Sequence, residues 1–362
     1  EQIDLTGRLL TPGWIDIHAH VYAGATTWGV SADALCLATG VTTIVDAGSP
    51  GWANLPGFID YIVAPSRTRV LTFVHVSGIG LTYGPIGECE DIRYADPERT
   101  AAAIERWRDV CVGVKVRQGG HQVGAHGVEP LRRAIQAGHY TDTPVMVHIA
   151  VGVPLVDVLS EMRSGDIVTH CYQGTGDGII GTDGDVEPVA REARSRGILF
   201  DVGHGGFSFW FSTASKLIPQ GHVPSTISTD VHAGSFYIRR ATMPGVMSKL
   251  INLGISLVDV VEMSTSAPAA WMKRPEFGNL SVGAVADIAV LELELGDFGF
   301  VDSGMARLKG DRRLTCQMTV RNGEIVWDLN GLSRPDYEGQ GDYVSLDRDM
   351  SDLLEWTGYD NS

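Results

Sequence analysis

The sequence predicts an α/β fold, a (β/α)8 TIM barrel with a small β-sandwich-like second domain built from the chain ends. Three observations lead to this prediction. Short apolar runs rich in Val, Ile and Thr recur eight times, and a helix-like segment follows each of them. Such alternation implies parallel strands joined by crossover helices, and eight units in about 250 residues match a (β/α)8 barrel. Beyond residue 276 the pattern changes to β-strand alone.

The eight units can be followed in chain order. The predicted strands cover residues 15–20, 42–46, 70–75, 113–116, 145–149, 167–170, 199–202 and 226–228. The predicted helices between and after them cover residues 32–39, 55–62, 97–110, 128–137, 155–163, 185–196, 209–218 and 243–253. Two further helical segments, 257–263 and 267–272, complete a barrel domain that we place at residues 13–275.

The small β-domain is predicted from residues 276–332, with residues 1–12 as a further part. Residues 278–293 and 316–328 have strand character, and Asn322-Gly323 is a strong hairpin-turn signal. The polar tail, residues 333–362, receives no predicted structure. The chain starts at Glu1 without Met or a signal peptide, so we expect it to begin within a longer protein.

Composition excludes several classes of partner. The net charge is −16, from 44 acidic and 28 basic residues, which disfavours binding to nucleic acid or to anionic membrane surfaces. No apolar run reaches the roughly 18 residues that a membrane-spanning helix needs. The five cysteines are scattered without a CxxC pair, which indicates reduced thiols and a cytoplasmic protein.

Residues suited to metal binding stand at the carboxyl ends of the predicted strands. Catalytic groups of this barrel fold lie at those ends. Each residue alone has an ordinary explanation: a core histidine, an ion-paired lysine, a turn aspartate. His18 and His20, one residue apart on a strand, point the same way and can share one metal. The joint placement of six such groups favours a metal site made of His18, His20, Lys115, His148, His170 and Asp230.

Loop residues near these ends are candidates for binding substrate. Arg117, two residues after Lys115, is predicted to hold a substrate carboxylate, and an ion pair with an acidic loop residue is the alternative. His204 lies between glycines in "VGHGG", where backbone N–H groups can approach a ligand. Tyr172 and Gln173 directly follow His170, and Tyr83 lies in a Gly-rich loop. Rim or turn positions are the alternative for these four residues.

These motifs resemble those of the amidohydrolase superfamily, in its binuclear metal-dependent branch. The segments "PGWIDIHAH", "VKVR", "VHIAVG", "THCYQG", "STDVHAG" and "GNLSVGAVADIAVL" carry the resemblance, which covers essentially the whole chain. More narrowly, the chain is similar to the amidohydrolase/deacetylase group, relatives of dihydroorotase and D-aminoacylase. That family normally has an N-terminal segment that completes the small β-domain.

The resemblance implies a role for each candidate ligand. His18, His20 and Asp230 would bind one divalent metal, and His148 and His170 a second. Lys115, as a carbamate formed with carbon dioxide, would bridge the two. Zinc is the default ion for such donors. A hydroxide bridging the metals would attack the scissile carbonyl, and Asp230 would carry its proton to the leaving group.

The expected activity is hydrolysis of an acyl amide or ester by a deacetylase-type enzyme. The expected partner is a small carboxylate-bearing acylated molecule, such as an N-acyl amino acid or an acetylated hydroxy acid. A cyclic-amide hydrolase is the first alternative, although Tyr22 stands where dihydroorotases have an arginine. A mononuclear deaminase and a non-catalytic scaffold are further alternatives. A homo-oligomer fits barrels of this kind.

Overall fold

The structure is a computed structural model that describes residues 2–236 and 241–339. The predicted tail therefore lies outside the described residues from residue 340 onward. The strands are β1 Leu9–Pro12, β2 Trp14–Ala19, β3 Val41–Gly51, β4 Arg69–His75, β5 Cys111–Gln118, β6 Val145–Ile149, β7 Ile167–Thr169, β8 Leu199–Phe200, β9 Ile288–Val301, β10 Arg307–Arg321 and β11 Glu324–Asp328. The α-helices are α1 Ala32–Cys36, α2 Leu55–Phe58, α3 Pro97–Arg106, α4 Gly120–Val123, α5 Glu129–Thr141, α6 Leu155–Glu161, α7 Pro188–Ser195, α8 Phe211–Leu217, α9 Met243–Asn252, α10 Leu257–Glu262 and α11 Ser266–Trp271.

Strands β2 to β8 form one parallel sheet in sequence order, as predicted. The eighth predicted strand pairs on both of its sides. Thr226 bridges Asp201 just after β8, and Val231 bridges Ala19 of β2, both in parallel. The backbone N–H of Asp230 also donates to the carbonyl of His18 at 2.6 Å. Segment 226–231 thus joins the two edges of the sheet, and the predicted α/β barrel is confirmed.

This closing segment makes isolated bridges instead of a regular ladder. Asp230 has a φ of 44°, a left-handed conformation that an extended strand does not contain. The chain therefore turns at Asp230, next to its contact with β2. The difference from the predicted strand reflects this local backbone conformation.

Two packed layers hold the barrel together. One cluster of buried side chains comes from six successive strands and from the end of α11, and only residues that point into the ring of strands can meet in this way. Its members include Ile15, Ile17, Val45, Phe73, Met146, Ile167 and Met272. The larger cluster packs the outer face of the strands against the helices. Since helices α1 to α10 contribute buried side chains to this layer, the carboxyl ends of the strands keep fixed positions.

Several helices begin where the sequence supplies a start signal. The Asp96 side chain accepts a hydrogen bond from the Arg99 backbone N–H, and Pro97 follows in the first turn of α3. Helix α7 begins only at Pro188, later than predicted, because residues 181–187 form a turn and a bridge that pairs Ile180 with Val186.

The chain ends meet in a second sheet with the order β1-β9-β10-β11, antiparallel throughout. The described residues form a single four-stranded sheet where a sandwich-like domain was expected. Asn322 and Gly323 have φ values of 52° and 84° and form the predicted two-residue turn. Strand β9 begins later than expected because Gly278 and Gly283, also at positive φ, interrupt an extended backbone. The domain boundaries drawn above stay predictions.

Among the described residues, no helix combines the length and the apolar character that crossing a lipid bilayer requires.

Candidate active site

A cavity of about 360 Å³ opens at the carboxyl ends of the barrel strands. Five of the six predicted metal ligands line it, namely His18, His20, Lys115, His148 and Asp230. Arg117 and Gln173, predicted to bind substrate, line it as well. The barrel thus brings together residues that the sequence places far apart.

Two histidines of β2 and its end meet one carboxylate of the closing segment. Nε2 of His18 lies 3.3 Å from Oδ1 of Asp230, and Nε2 of His20 lies 3.2 Å from the same oxygen. Two donors at about 2.0–2.2 Å from one tetrahedral ion are roughly 3.3–3.6 Å apart. The spacing of these donors therefore fits a shared metal ion.

The other three groups extend the cluster. Nδ1 of His148 lies 2.7 Å from Nε2 of His170, and Nζ of Lys115 lies 3.3 Å from Nε2 of His18. Donor atoms of His18, His170 and Asp230 all lie within 4.8 Å of one another. All six predicted ligands thus belong to one continuous cluster.

Hydrogen bonds to the far ring nitrogens orient the histidines. Thr169 donates its hydroxyl proton to Asp201 at 2.8 Å, so its oxygen accepts from Nδ1 of His18 at 3.0 Å. Nδ1 of His170 donates to the Gly203 carbonyl at 2.8 Å. Nε2 of both rings therefore bears the lone pair that a metal requires. Nδ1 of His20 lies 2.9 Å from the Ser49 hydroxyl, which orients that ring as well.

Burial keeps the imidazoles in the neutral form that ligates metals. It lowers the pKa of His20 to about 3 and that of His170 to about 4, and it holds those of His18 and His148 well below the ordinary value. Burial also lowers the pKa of Lys115 to about 7, so much of this amine is uncharged at neutral pH. An uncharged amine is the form that reacts with carbon dioxide. The donor set thus fits divalent metal ions and a carbamate.

The backbone is left-handed at two candidate ligands, His170 with φ 72° and Asp230 with φ 44°. Such angles are uncommon outside glycine and concentrate at functional sites. The glycines on either side of His204 lie against these two candidate ligands. A Cβ on Gly205 would lie 2.3 Å from Oδ2 of Asp230, and one on Gly203 would lie 2.7 Å from Nδ1 of His170. These glycines make room for the candidate ligands.

Arg117 lines the cavity while holding an acidic partner. Its Nε and Nη2 donate to the two carboxylate oxygens of Glu88 at 2.7 and 2.6 Å. Although burial would raise the pKa of Glu88, the Arg117 charge and its hydrogen bonds lower it to about 2. The alternative of an ion pair with a loop carboxylate is therefore what this structure shows. A role of Arg117 in binding a substrate carboxylate stays a prediction.

Three residues expected to bind substrate do not line this cavity. Tyr172 is fully buried, and its hydroxyl donates to the His222 carbonyl at 2.9 Å. His204 is also buried, stacked on Phe209, and its Nε2 lies 2.7 Å from Nζ of Lys249. Tyr83 is 53% exposed and lines a neighbouring cavity. The first two positions are corrections, because their side chains belong to the core.

Other lining residues lie outside the set of substrate-binding residues predicted above. Trp28 meets His232 edge to face, with ring centroids 5.0 Å apart, and both line the cavity together with Phe207. Glu88 contacts Arg117, Thr169 contacts His18, and Asp201 contacts Thr169. Thr169 ends β7 and Asp201 directly follows β8, so a search for hydrogen-bond partners of the histidines at the strand ends would have found them. Glu88 lies in a loop without periodicity and has no such signal.

Fold and site together define a class of protein, namely a barrel that carries a histidine-rich donor set at the carboxyl ends of its strands. Comparisons with known proteins agree. The sequence model of the amidohydrolase family matches residues 212–326. A deacetylase of Agrobacterium fabrum is 36% identical over 85% of this chain and 77% of its own length. A deacetylase of Brucella anthropi is 35% identical over 84% and 76%, and one of Enterococcus faecalis is 30% identical over 88% and 87%.

Solved structures with a similar fold point to the same family. An adenine deaminase superposes with a TM-score of 0.84 at 28% identity, over 89% of this chain and 88% of its own. A dihydroorotase superposes with a TM-score of 0.84 at 32% identity, over 89% and 87%. The chain belongs to the amidohydrolase superfamily.

Proposed function

We propose that this chain is a binuclear metal-dependent deacetylase that hydrolyses the acyl amide or ester of a small carboxylate-bearing molecule. The observation that carries the proposal is the meeting of four neutral imidazoles, Lys115 and Asp230 in one cluster, five members of which line the cavity. The relatives named deacetylase, at 30–36% identity, support the reaction class.

The candidate ligands divide between two ions. His18, His20 and Asp230 would hold one, His148 and His170 the other, and the carbamate of Lys115 would contact both. Divalent metals bound there would lower the pKa of water and polarise an acyl carbonyl. Zinc fits the histidine and oxygen donors and is the first ion to test.

Asp230 is placed to move the proton in this reaction. Its Oδ1 faces both His18 and His20, and the residue lines the cavity. Burial raises the pKa of its carboxyl group, which strengthens it as a base. Asp230 would take a proton from a water in the cavity and deliver it to the leaving nitrogen or oxygen.

A carboxylate-bearing substrate suits the charge of the loaded site. The two ions would carry more positive charge than the carbamate and Asp230 cancel, and an anionic substrate compensates the rest. Gln173 adds a buried amide nitrogen without a hydrogen-bond partner among the described residues, and its side chain lines the cavity. This donor is available to a substrate oxygen.

A cyclic-amide hydrolase is the second candidate, because the dihydroorotase structure is among the similar ones. The residue two positions after His20 argues against it, because dihydroorotases have an arginine there and this chain has Tyr22. Tyr22 is buried there, donates its hydroxyl proton to the Asn54 carbonyl at 3.1 Å and does not line the cavity.

The test combines metal analysis with a substrate panel. Protein purified without chelator should contain about two divalent ions per chain and hydrolyse N-acetyl amino acids or acetylated hydroxy acids. Dihydroorotate, a hydantoin and adenine are the competing substrates in the same assay. Turnover of only a cyclic amide would favour the second candidate. A protein that binds no metal after incubation with zinc and bicarbonate would contradict both.

A further inference from the structure

A second cavity of about 350 Å³ lies beside the candidate active site. The loop after β4 supplies most of its wall, from Gly78 to Tyr83, and Ala53 and Ile86 complete it. Its inner end is formed by Glu88 and Arg117. Tyr83 and Ile86 are about half exposed at its edge, so the cavity is accessible from solvent.

The two cavities share part of their walls. Leu81 and Arg117 line both of them. Glu88 holds Arg117 at two points, and Leu81 is 4% exposed with its backbone N–H bonded to the Ser49 carbonyl. Ser49 in turn contacts His20, a candidate metal ligand. The second cavity therefore adjoins the first, and the side chains of Leu81 and Arg117 lie at their shared boundary.

The chemistry of the second cavity favours an apolar group. Leu81, Ile79, Ile86 and Ala53 dominate its surface. The Asn54 side chain is engaged, since Oδ1 accepts from the Gly51 N–H and Nδ2 donates to the Ile79 carbonyl. The charges of Arg117 and Glu88 offset each other.

We propose that this second cavity binds the apolar side chain of the acetylated substrate. The assignment rests on the proposed deacetylase function. In a deacetylase the acyl group is small, so the side chain of the leaving amino or hydroxy acid is the part that needs additional space. Ligand cavities of this size, mostly apolar with a few polar groups, commonly hold such a group.

The test fills the second cavity from an exposed position. Ala53 is exposed and lines the cavity, so Ala53→Trp adds volume there without disturbing the core. The readout is the ratio of kcat/KM for an acetylated aromatic or branched acid to kcat/KM for acetylglycine. We expect this ratio to fall at least about tenfold in Ala53→Trp. The matched control is Ala102→Trp, at an exposed position of α3 away from both cavities, where the ratio should not change.

A structural readout is independent of turnover. A crystal with a bromophenyl-bearing acid, the deacetylated product, should place the bromine between Ala53 and Ile86. Bromine between Trp28 and Phe207 in the first cavity, or an unchanged ratio in an active Ala53→Trp, would overturn the assignment alone. A wild-type protein that hydrolyses no acetylated compound would overturn the proposed function, and this assignment with it.

Discussion

Nε2 of His18 lies 3.3 Å from Oδ1 of Asp230, across the junction where the barrel closes. The same two residues are joined by the backbone hydrogen bond from the Asp230 N–H to the His18 carbonyl. The residues that close the ring of strands are therefore also members of the donor cluster. An ion shared by these side chains would hold the closing segment against β2, so metal binding should contribute to folding stability.

Lys115 should be dispensable for folding but required for the second metal. Its amine is buried, and its closest polar contact is Nε2 of His18. Burial lowers the pKa of this amine to about 7, so much of it is uncharged at neutral pH, and an apolar side chain of similar length removes a polar group that is costly to bury. We expect Lys115→Met to lower metal content from about two ions to at most one per chain and to abolish most hydrolysis. Thermal melting of the metal-free protein should not decrease.

Lys249 provides the matched control, because it is the other buried lysine among the described residues and donates to His204. Lys249→Met should keep both metals. It removes a contact of 2.7 Å, shorter than the 3.3 Å contact of Lys115, and should therefore cost about 1–3 kcal/mol of folding free energy. Full metal content in Lys115→Met would contradict the carbamate bridge.

Thr169 should control metal affinity without binding metal. Its hydroxyl connects Asp201 to Nδ1 of His18 and so fixes which nitrogen of that ring bears the lone pair. Loss of a hydrogen bond to the far ring nitrogen of a ligating histidine typically lowers metal affinity about 10–100-fold. We expect that loss for Thr169→Val, measured by competition with a chromogenic chelator.

Thr226→Val is the comparison for this experiment. Thr226 also donates to Asp201, at 2.9 Å, but it contacts no candidate ligand. Equal losses of affinity in the two variants would show that Asp201 acts through the general packing of the barrel and not through His18.

Glu88 and Arg117 should show strong energetic coupling. The pair is almost fully buried, with 2% and 14% of the side chains exposed. Removing one partner leaves an uncompensated charge, so Glu88→Gln should cost about 3 kcal/mol of the free energy of unfolding, measured with urea. Glu88→Gln/Arg117→Gln should cost less than the sum of the single variants by more than about 1 kcal/mol. Additive effects would show that the pair contributes no coupling.

The same pair predicts a pH dependence of stability. The Arg117 charge lowers the pKa of Glu88 to about 2, against 4.5 in an unfolded chain. A lowered folded-state pKa gives stability that is complete above the unfolded value and is lost as the pH falls toward the folded value. The difference in stability between wild type and Glu88→Gln should therefore be constant from pH 7 to about 5 and shrink below that. A difference that grows with acidification would contradict this assignment of the charge.

The barrel and the cluster of candidate ligands could be predicted from the sequence for a simple reason. Strand periodicity locates the end of each strand, and the fold brings these ends together, so the positions of His18 and Lys115 along the chain suffice to place them at one mouth. The surrounding residues were less accessible. The left-handed backbone at His170 turns the chain directly after β7, and the alternation that would orient Tyr172 no longer applies. Glu88 reaches Arg117 from a loop, and loop geometry is set by tertiary contacts.

Tyr172 and Gln173 are neighbours that should behave in opposite ways. The Tyr172 hydroxyl serves the core, because it donates to the His222 carbonyl and the ring packs against Phe209. Tyr172→Phe should therefore cost about 1–2 kcal/mol of stability, as a buried carbonyl loses its donor, while kcat/KM stays within about twofold. Gln173 lines the candidate active site, and its amide nitrogen has no partner among the described residues.

Gln173→Leu removes that unsatisfied donor, so the melting temperature should stay equal or rise. The same change deprives a bound substrate oxygen of a hydrogen bond. If that oxygen is charged, the loss of about 1.5–3 kcal/mol corresponds to roughly 10–150-fold in kcat/KM. Thermal melting and steady-state kinetics on both variants, with the substrate that the panel identifies, measure the contrast. Loss of activity in Tyr172→Phe together with full activity in Gln173→Leu would show that the chain after β7 presents the opposite face to the substrate.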